Sequence, residues 1–395
     1  MNLEVGPYAH GGHCVARADD GRVVFVRHGL PGETVRVHVT ETGSKFWRAD
    51  AVQVLGNPSP DRVPSAWPEA GPGGVGGGEL AHVSLPGQRR WKAAVLREQL
   101  RRLANLDWEV TVEAAPGDGQ RGGLHYRTRI DLVADREGRA GMRTYRSHQV
   151  LPLDTMPLAT EEVLARADAE QVFARRWRPG QRLELHSDLL LVDGAPWRGR
   201  PDTRANARRS VTEMVELSDG SSYRYRLAAD GFWQNHREAP RLLVEAVLAA
   251  AGDLTGKRVL DLYSGAGLFT LPLADRAGSV IAVEGDERAV RDARRNSHHL
   301  GNVELRHGAV ERVLDGGLAA GVVVLDPPRA GAGRRTIEAI MAGQPERVIY
   351  VACDPAALAR DIGYLGEGGY TLQSLRAFDL FPMTHHVEAV ALLTR

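Results

Sequence analysis

Cysteine is nearly absent. Cys14 and Cys353 are the two thiols among 395 residues, which excludes a disulfide framework and leaves too few thiolates for a metal or iron–sulfur site. Any cysteine chemistry therefore rests on a single residue. No apolar run approaches the ~20 residues a membrane helix needs, and 43% hydrophobic with 25% charged residues is an ordinary globular composition, so a soluble protein with no membrane partner is expected. An excess of one charge is also missing: 50 Lys and Arg balance 50 Asp and Glu, and global charge points to no polyanionic partner. The opening MNLEVGPYAHGG carries neither a basic leader nor an apolar stretch, so a cytoplasmic location is expected.

The chain does have length enough for two or three domains and a local charge bias. Thirteen Arg and Lys face eight Asp and Glu over residues 85–146, and nine face four over 172–210. Residues 1–57 alternate apolar and polar positions over 13–17, 23–27, 33–40 and 47–55, between Asp20-Gly21 and Pro31-Gly32 turns. That pattern predicts a small OB-like antiparallel barrel. Residues 57–78 (NPSPDRVPSAWPEAGPGGVGGG) read as a linker or surface loop. Over residues 88–106, Trp91, Val95, Leu96, Leu100 and Leu103 recur at helical spacing, predicting an amphipathic helix that packs on the C-terminal domain. A mainly β central domain is expected over 58–228, with a helix at 160–176. From residue 229 to 395 short apolar strands alternate with helices and end in two strands with no helix between them, which predicts an α/β domain of Rossmann-like class I type with an antiparallel hairpin at its edge. No internal repeat is visible, and a monomer is expected.

The segment RVLDLYSGAGLFTLPLA runs strand, glycine turn, helix. Gly265 and Gly267 let the backbone pass close to a ligand. Some twenty residues on, VIAVEGDE ends the next strand on Glu284, an acid able to accept both hydroxyls of a ribose. A dinucleotide turn would carry a third glycine where Thr270 stands, and the Asp261 opening (D-x-x-x-G-x-G) favours S-adenosylmethionine, which has no phosphate to seat. Gln234, in GFWQN, can reach the cofactor's amino or carboxylate group, although alone it reads as a surface glutamine. Asp326 ends VVVLDPPR, where two prolines stiffen a loop at the carboxyl edge of the sheet.

VIYVACDPAALAR brings Cys353 to a strand end directly before a helix. The helix dipole there is expected to lower the thiol pKa. FPMTHHVEAV supplies Glu388 on the last strand. A thiolate and a carboxylate are what substitution at C5 of uracil requires: sulfur adds to C6, C5 becomes nucleophilic, and a base removes the C5 proton. His385 and His386, adjacent on a strand, would point to opposite faces and lack a second ligand group, so no metal is expected. Asp379 and Thr384 read as loop residues.

In order along residues 231–390, GFWQN, LDLYSGAGLFTLPLA, VEGDE, LDPPR, VACDPAALARD and FPMTHHVEAV make the chain resemble the bacterial RNA (uracil-5-)-methyltransferases. The N-terminal barrel looks like a TRAM domain, an OB-like RNA-binding module. The resemblance implies that Gln234, Tyr263, Glu284 and Asp326 contact S-adenosylmethionine, that Cys353 is the nucleophile and that Glu388 accepts the proton. It also implies RNA as partner, with ribosomal RNA favoured by the TRAM-like module and transfer RNA the alternative. Many members hold an iron–sulfur cluster through cysteines, but Val75, Gly78 and Met156 occupy the matching positions, so no cluster is expected. Leu268 replaces the Asn of some relatives in the glycine turn. Trp177, Trp197 and the Arg-rich central segments are candidates for contacts with RNA, and the target uridine must leave its stack.

Two rivals remain at this level. A DNA cytosine-5 methyltransferase uses the same thiolate logic, but its P-C and E-N-V contexts do not occur. A silent RNA-binding or assembly protein could retain the same fold.

Overall fold

The computed structural model describes residues 1–395. Contacts divide the chain into two units: Met1–Val95, Pro116–Thr203 and Phe381–His386 form the first, and Leu96–Ala115, Arg204–Leu380 and Val387–Arg395 the second.

In the first unit, β1 (Asn2–Ala9), β2 (His13–Arg17), β3 (Val23–Arg27), β4 (Thr34–Thr42) and β5 (Phe46–Gly56) close into a barrel of order β1-β2-β3-β5-β4. Alternate residues point inward, so Leu3, Val5, Cys14, Val24, Val26, Val35 and Val37 make its core. Strand β1 lies outside the sequence expectation. Its Gly6-Pro7 pair reads as a turn, but the β1/β2 register shifts between Val5 and Tyr8, and an irregular strand tolerates a residue with no N–H to donate.

Residues 57–78, expected as a linker or surface loop, have irregular backbone and are mostly exposed or half-buried, but part of the segment is anchored in the core. Trp67 and Val75 are buried with Ala70 in the same core as the central sheet. Proline and glycine removed the regular ladder without removing the burial: Gly74 N donates to Gly71 O and Val75 N to Glu69 O, at 2.9 and 2.8 Å. The helix α1 (Leu85–Leu103) follows, then a three-residue strand β6 (Val112–Ala114) that belongs to the second unit. The central strands β7 (Arg129–Ala134), β8 (Ala140–Arg143) and β9 (Val150–Pro152) precede α2 (Glu161–Ala169), and β10 (Arg182–His186), β11 (Leu190–Val192) and β12 (Ala195–Pro196) follow it. They form one sheet, β12-β11-β10-β7-β8-β9. Thr160 caps α2 by accepting from Val163 N, but the helix stops short of residue 176 because Gln171 turns left-handed at φ 52°. Trp177 is buried, donates its indole N–H to Val172 O, and packs edge-on against Trp197 at 5.1 Å. The Trp177 ring serves the core, whereas Trp197 is partly buried against it.

The second unit starts earlier than residue 229. Its hairpin β13 (Ser210–Glu216) and β14 (Ser222–Ala228) is tied to a later helix by Arg226 N to Asn296 Oδ1 and Ala228 N to Asp292 Oδ2, at 2.9 and 2.7 Å. Then come α3 (Ala239–Ala251), β15 (Arg258–Leu262), α4 (Thr270–Ala274), β16 (Ser279–Glu284), α5 (Glu287–Ser297), β17 (Val303–His307), α6 (Val310–Leu314), β18 (Val322–Leu325), α7 (Gly333–Ala342), β19 (Arg347–Ala352), α8 (Pro355–Glu367), β20 (Thr371–Asp379) and β21 (Glu388–Thr394). The eight-stranded sheet runs β17-β16-β15-β18-β19-β21-β20-β6. Strands β15 to β19 are parallel, and β21 inserts antiparallel between β19 and β20. Helices cover both faces, so β18 is buried at every position, each such aliphatic side chain contributing about 2 kcal/mol. The expected edge hairpin is therefore internal on one side, and β6 covers the outer edge of β20. Asp379 closes β20 rather than lying in a loop. His385 and His386 sit in the turn before β21, not on a strand. No helix is long and apolar enough to cross a membrane.

One buried ion pair anchors the first unit. The fully buried carboxylate of Glu33 accepts from Arg62 Nε and Nη2 at 2.6 and 2.7 Å, and from Leu30 N and Ser59 N at 2.8 and 3.1 Å. Burial alone would raise its pKa, but these hydrogen bonds outweigh burial and hold it below the usual value. A depressed folded-state pKa stabilises above the unfolded carboxyl value and is lost as pH falls through the folded one. Glu33→Ala is expected to destabilise the first unit by about 3 kcal/mol at neutral pH, with the deficit shrinking in acid. Urea midpoints of wild type and variant at neutral and acidic pH check this.

Candidate active site

The turn after β15 departs from ordinary backbone at three positions: Tyr263, Gly265 and Gly267 have φ of 60°, 55° and 96°. Such angles suit glycine and strain tyrosine. A Cβ on Gly265 would meet nothing within 4 Å, so space above the turn is open, whereas one on Gly267 would lie 3.2 Å from Leu271. Leu262 pairs with Val283 across parallel strands, which brings Glu284 beside the turn. Its carboxylate accepts from Gly265 N at 2.8 Å and from Asp286 N at 2.7 Å. Asp286 in turn caps α5.

Asp261 lies beneath the turn, 1% exposed. Its Oδ2 accepts from Thr270 Oγ1 at 2.5 Å, while its Oδ1 and the Ser264 hydroxyl, both buried, have no partner. Burial, helped by the charge of Glu284, pushes its pKa up to about 7 against the Thr270 bond. Native proteins rarely leave such groups unmatched. Two orphaned polar atoms beside an open glycine turn suit a ligand that brings amino and hydroxyl groups. Gln234 is buried, so the surface-glutamine reading does not hold, while its neighbour Phe232 is 77% exposed. Trp233 packs on Tyr225 at 5.0 Å, and Tyr225 donates to Leu268 O at 2.9 Å, which ties this segment to the glycine turn. Position 268 therefore contributes its backbone carbonyl to the turn's support.

Ala352 pairs with Ala389 and Val351 with Val390. One further step of this register sets Cys353 opposite Glu388, and directly opposed residues share a face of the sheet. Glu388 pairs on its other side with Phe378. Asp326 ends β18 alongside, its N–H donating to Leu262 O at 3.2 Å. Cys353 and Glu388 thus come to one sheet end with Asp326.

The electrostatics contradict the expected activation of the thiol by its helix. Burial, then the carboxylates of Glu388 and Asp326, push Cys353 up to about 12, against a smaller lowering by Arg329. The helix end is already capped by Asp354, whose side chain accepts from Ala356 N and Ala357 N, so a negative charge sits where the dipole would have acted. Burial and the charge of Asp261 raise Asp326 to about 7. Glu388, 4% exposed, is raised well above the carboxylate range by burial and by Asp326. Arg329, in the D-P-P-R loop, is the cation felt by both Cys353 and Glu388. Arg329 carries no role in the sequence reading of the D-P-P-R loop. Its signal was the spacing, three residues after Asp326.

In the first unit, Val75 and Met156 are buried in the apolar core with Trp67 and Ala70. A Cβ at Gly78 would lie 2.6 Å from both Ala70 Cβ and Trp67 Cε3, so apolar side chains fill the space around these three positions. The His385 ring is hydrogen-bonded to the buried Glu79 carboxylate and lies 4.1 Å from the His386 ring.

A parallel sheet with a strained glycine turn at one strand end and an acid at the next is the architecture of α/β enzymes that bind a nucleoside cofactor. Residues 204–316 and 313–395 match the tRNA (uracil-5-)-methyltransferase family model, and residues 1–52 match the TRAM domain. An RNA methyltransferase of Bifidobacterium longum is 44% identical, over 100% of this chain and 96% of that one. The 23S rRNA (uracil(1939)-C(5))-methyltransferase RlmD of a Shewanella species is 30% identical, over 94% of this chain and 91% of that one. The crystal structure of Pyrococcus abyssi tRNA (uracil-54, C5)-methyltransferase with S-adenosyl-L-homocysteine superposes with a TM-score of 0.71 at 24% identity, covering 99% of this chain and 100% of that one, and shows the shared fold. The chain belongs to the RNA (uracil-5-)-methyltransferase family.

Two measurements follow from the raised thiol. Iodoacetamide should alkylate Cys353 slowly at pH 8 in the free protein, and Asp326→Asn should speed it about threefold to tenfold by removing one negative charge. Peptide mapping by mass spectrometry reads both, with fully buried Cys14 unmodified as an internal reference. A Cys353 that reacts at the rate of a free thiol would contradict the electrostatics described above.

Proposed function

We propose that this protein methylates C5 of a uridine in RNA, with Cys353 as nucleophile, Glu388 as proton acceptor and 23S ribosomal RNA as substrate. The observation that supports the reading is the β19/β21 register, whose last pair, Ala352 with Ala389, leaves Cys353 and Glu388 as neighbours at the end of the sheet that holds the glycine turn. S-adenosyl-L-methionine, the cofactor of this family, supplies an electrophilic methyl group on a positively charged sulfur. Gly265, Gly267, Glu284, Tyr263 and Gln234 would hold it, and the orphaned Asp261 Oδ1 and Ser264 Oγ fit its polar groups. Asp326, held near 7, ionises more readily beside a cation.

Cys353 gives its proton to solvent as the target base is seated, with Arg329 favouring the thiolate. The sulfur bonds to C6, and the C5–C6 electron pair moves toward O4, leaving C5 nucleophilic. Once C5 is methylated, Glu388, which has given its own proton to solvent and is held ionised by Arg329, takes the C5 proton. The electrons of that bond restore the C5–C6 double bond and expel the sulfur. A carboxylate with a raised pKa suits this step, since a weak acid is the stronger base.

Ribosomal RNA is favoured over transfer RNA by the 30% identity to RlmD across most of both chains. The likeness to the Pyrococcus enzyme supports the fold and does not select the substrate.

RNA carrying 5-fluorouridine should form a covalent adduct with the wild-type protein and S-adenosylmethionine, and Cys353→Ala should form none. Glu388→Gln should lower turnover about a hundredfold to ten-thousandfold and trap adduct on unmodified RNA, because the C5 proton is no longer removed. Gel shifts under denaturing conditions read adducts. Mapping 5-methyluridine in total RNA with and without the gene identifies the substrate, and a missing mark confined to transfer RNA would overturn the ribosomal assignment.

A further inference from the structure

We propose that Asp361 is a positioning residue for methyl transfer. Its buried carboxylate would clamp the far end of the loop 326–333 and so hold Arg329 beside Cys353. The proposal rests on the reading of Cys353 as nucleophile. Asp361 lies on α8, the helix that follows Cys353, and is 0% exposed. Its Oδ2 accepts from Ala332 N at 2.8 Å, Gly333 N at 3.2 Å and the Tyr350 hydroxyl at 2.7 Å. Its Oδ1 accepts from Arg360 Nε and Nη2 at 3.0 and 2.8 Å. Arg360 Nη2 also donates to Ala330 O at 2.8 Å, and Ala332 N also reaches the Tyr350 hydroxyl at 3.1 Å. One carboxylate therefore gathers the backbone of the loop, a side chain of β19 and a side chain of its own helix.

The opposite end of the loop is fixed independently. Asp326 N donates to Leu262 O at 3.2 Å, and Pro327 and Pro328 remove two rotations. Gly331, at φ 80°, donates to Pro328 O at 2.7 Å. A Cβ there would lie 2.4 Å from Arg360 Nη2 and 2.7 Å from Asp361 Oδ2, so the loop approaches the clamp as closely as a bare backbone can. Between these anchors stands Arg329, the exposed cation that acts on both Cys353 and Glu388. A base entering beside Cys353 meets a loop that cannot recoil.

The bland alternative is that Asp361 only caps α7, whose N-terminal residues are among its donors. Capping alone would lower stability and leave the turnover of folded protein intact. Asp361→Asn keeps the size of the side chain but turns a donor-bearing amide on Arg360 or on the loop amides. We expect kcat to fall about tenfold to a hundredfold, while KM for S-adenosylmethionine stays within about twofold of wild type. Adduct formation with 5-fluorouridine RNA should slow in step with kcat, and its pH profile should move upward as Arg329 loses its fixed place. Assays are run well below the melting temperature of each variant. Should Asp361→Asn not fold, Arg360→Gln, which releases Ala330 O and one side of the carboxylate, must show the same split. A folded Asp361→Asn with wild-type kcat and adduct rate overturns the clamp while wild-type activity keeps the reading of Cys353. A wild type that forms neither adduct nor 5-methyluridine removes that reading, and the clamp falls with it.

Discussion

The insertion of β21 between β19 and β20 is the constraint on which the site depends. An antiparallel strand between two neighbours has its register specified on both sides, and a slip of one residue would carry every side chain to the other face. Because Ala389 sits against Ala352 and Glu388 against Phe378, the carboxylate of residue 388 has one place to go. It comes out close to the thiol of Cys353, the residue directly after β19. The apolar positions of β21 are buried along most of its length, so the packing energy of the sheet holds the two reactive groups together.

Holding them together carries an electrostatic cost. Asp261, Asp326, Glu388 and Cys353 share a sheet end where burial and mutual repulsion raise each pKa. Such a cluster stores several groups in their neutral forms and ionises when a cation enters the surroundings. Arg329 is the nearby counterweight, and it lies on a loop whose ends are both pinned. A free-standing arginine on a mobile loop would not act on Cys353 and Glu388 in a fixed geometry. The low reactivity expected of the resting thiol also protects it from adventitious chemistry until substrate is seated.

Much of this was legible in the residues. Apolar runs of four to six residues, each followed by a helical pattern, read as parallel strands and fold as such in β15, β16, β18 and β19. The glycine turn, Glu284, Asp326, Cys353 and Glu388 all come to the carboxyl ends of those strands, because that is where a doubly wound sheet opens. What failed did so for identifiable reasons. Residues 57–78 are the irregular segment their proline and glycine signal, but that signal says nothing about burial, so the anchoring of Trp67 and Val75 in the core was not legible. Trp177 looked like an RNA platform because an aromatic beside arginine looks the same in a core and on a surface. Strands β1 and β6 were lost, one to an internal Gly-Pro and the other to a length of three residues.

The sequence by itself determined the chemistry on offer: one cysteine at a strand end, one glutamate on the final strand, and a turn able to admit a nucleoside. These are local matters of residue type and spacing along the chain. Only the tertiary structure decided the state of those groups. Whether a thiol is lowered by a helix or raised by carboxylates depends on charges hundreds of atoms away along the chain but adjacent in space, as does the convergence of Asp361 on a loop thirty residues before it. Proximity across strands is set by register and burial, which no linear spacing records.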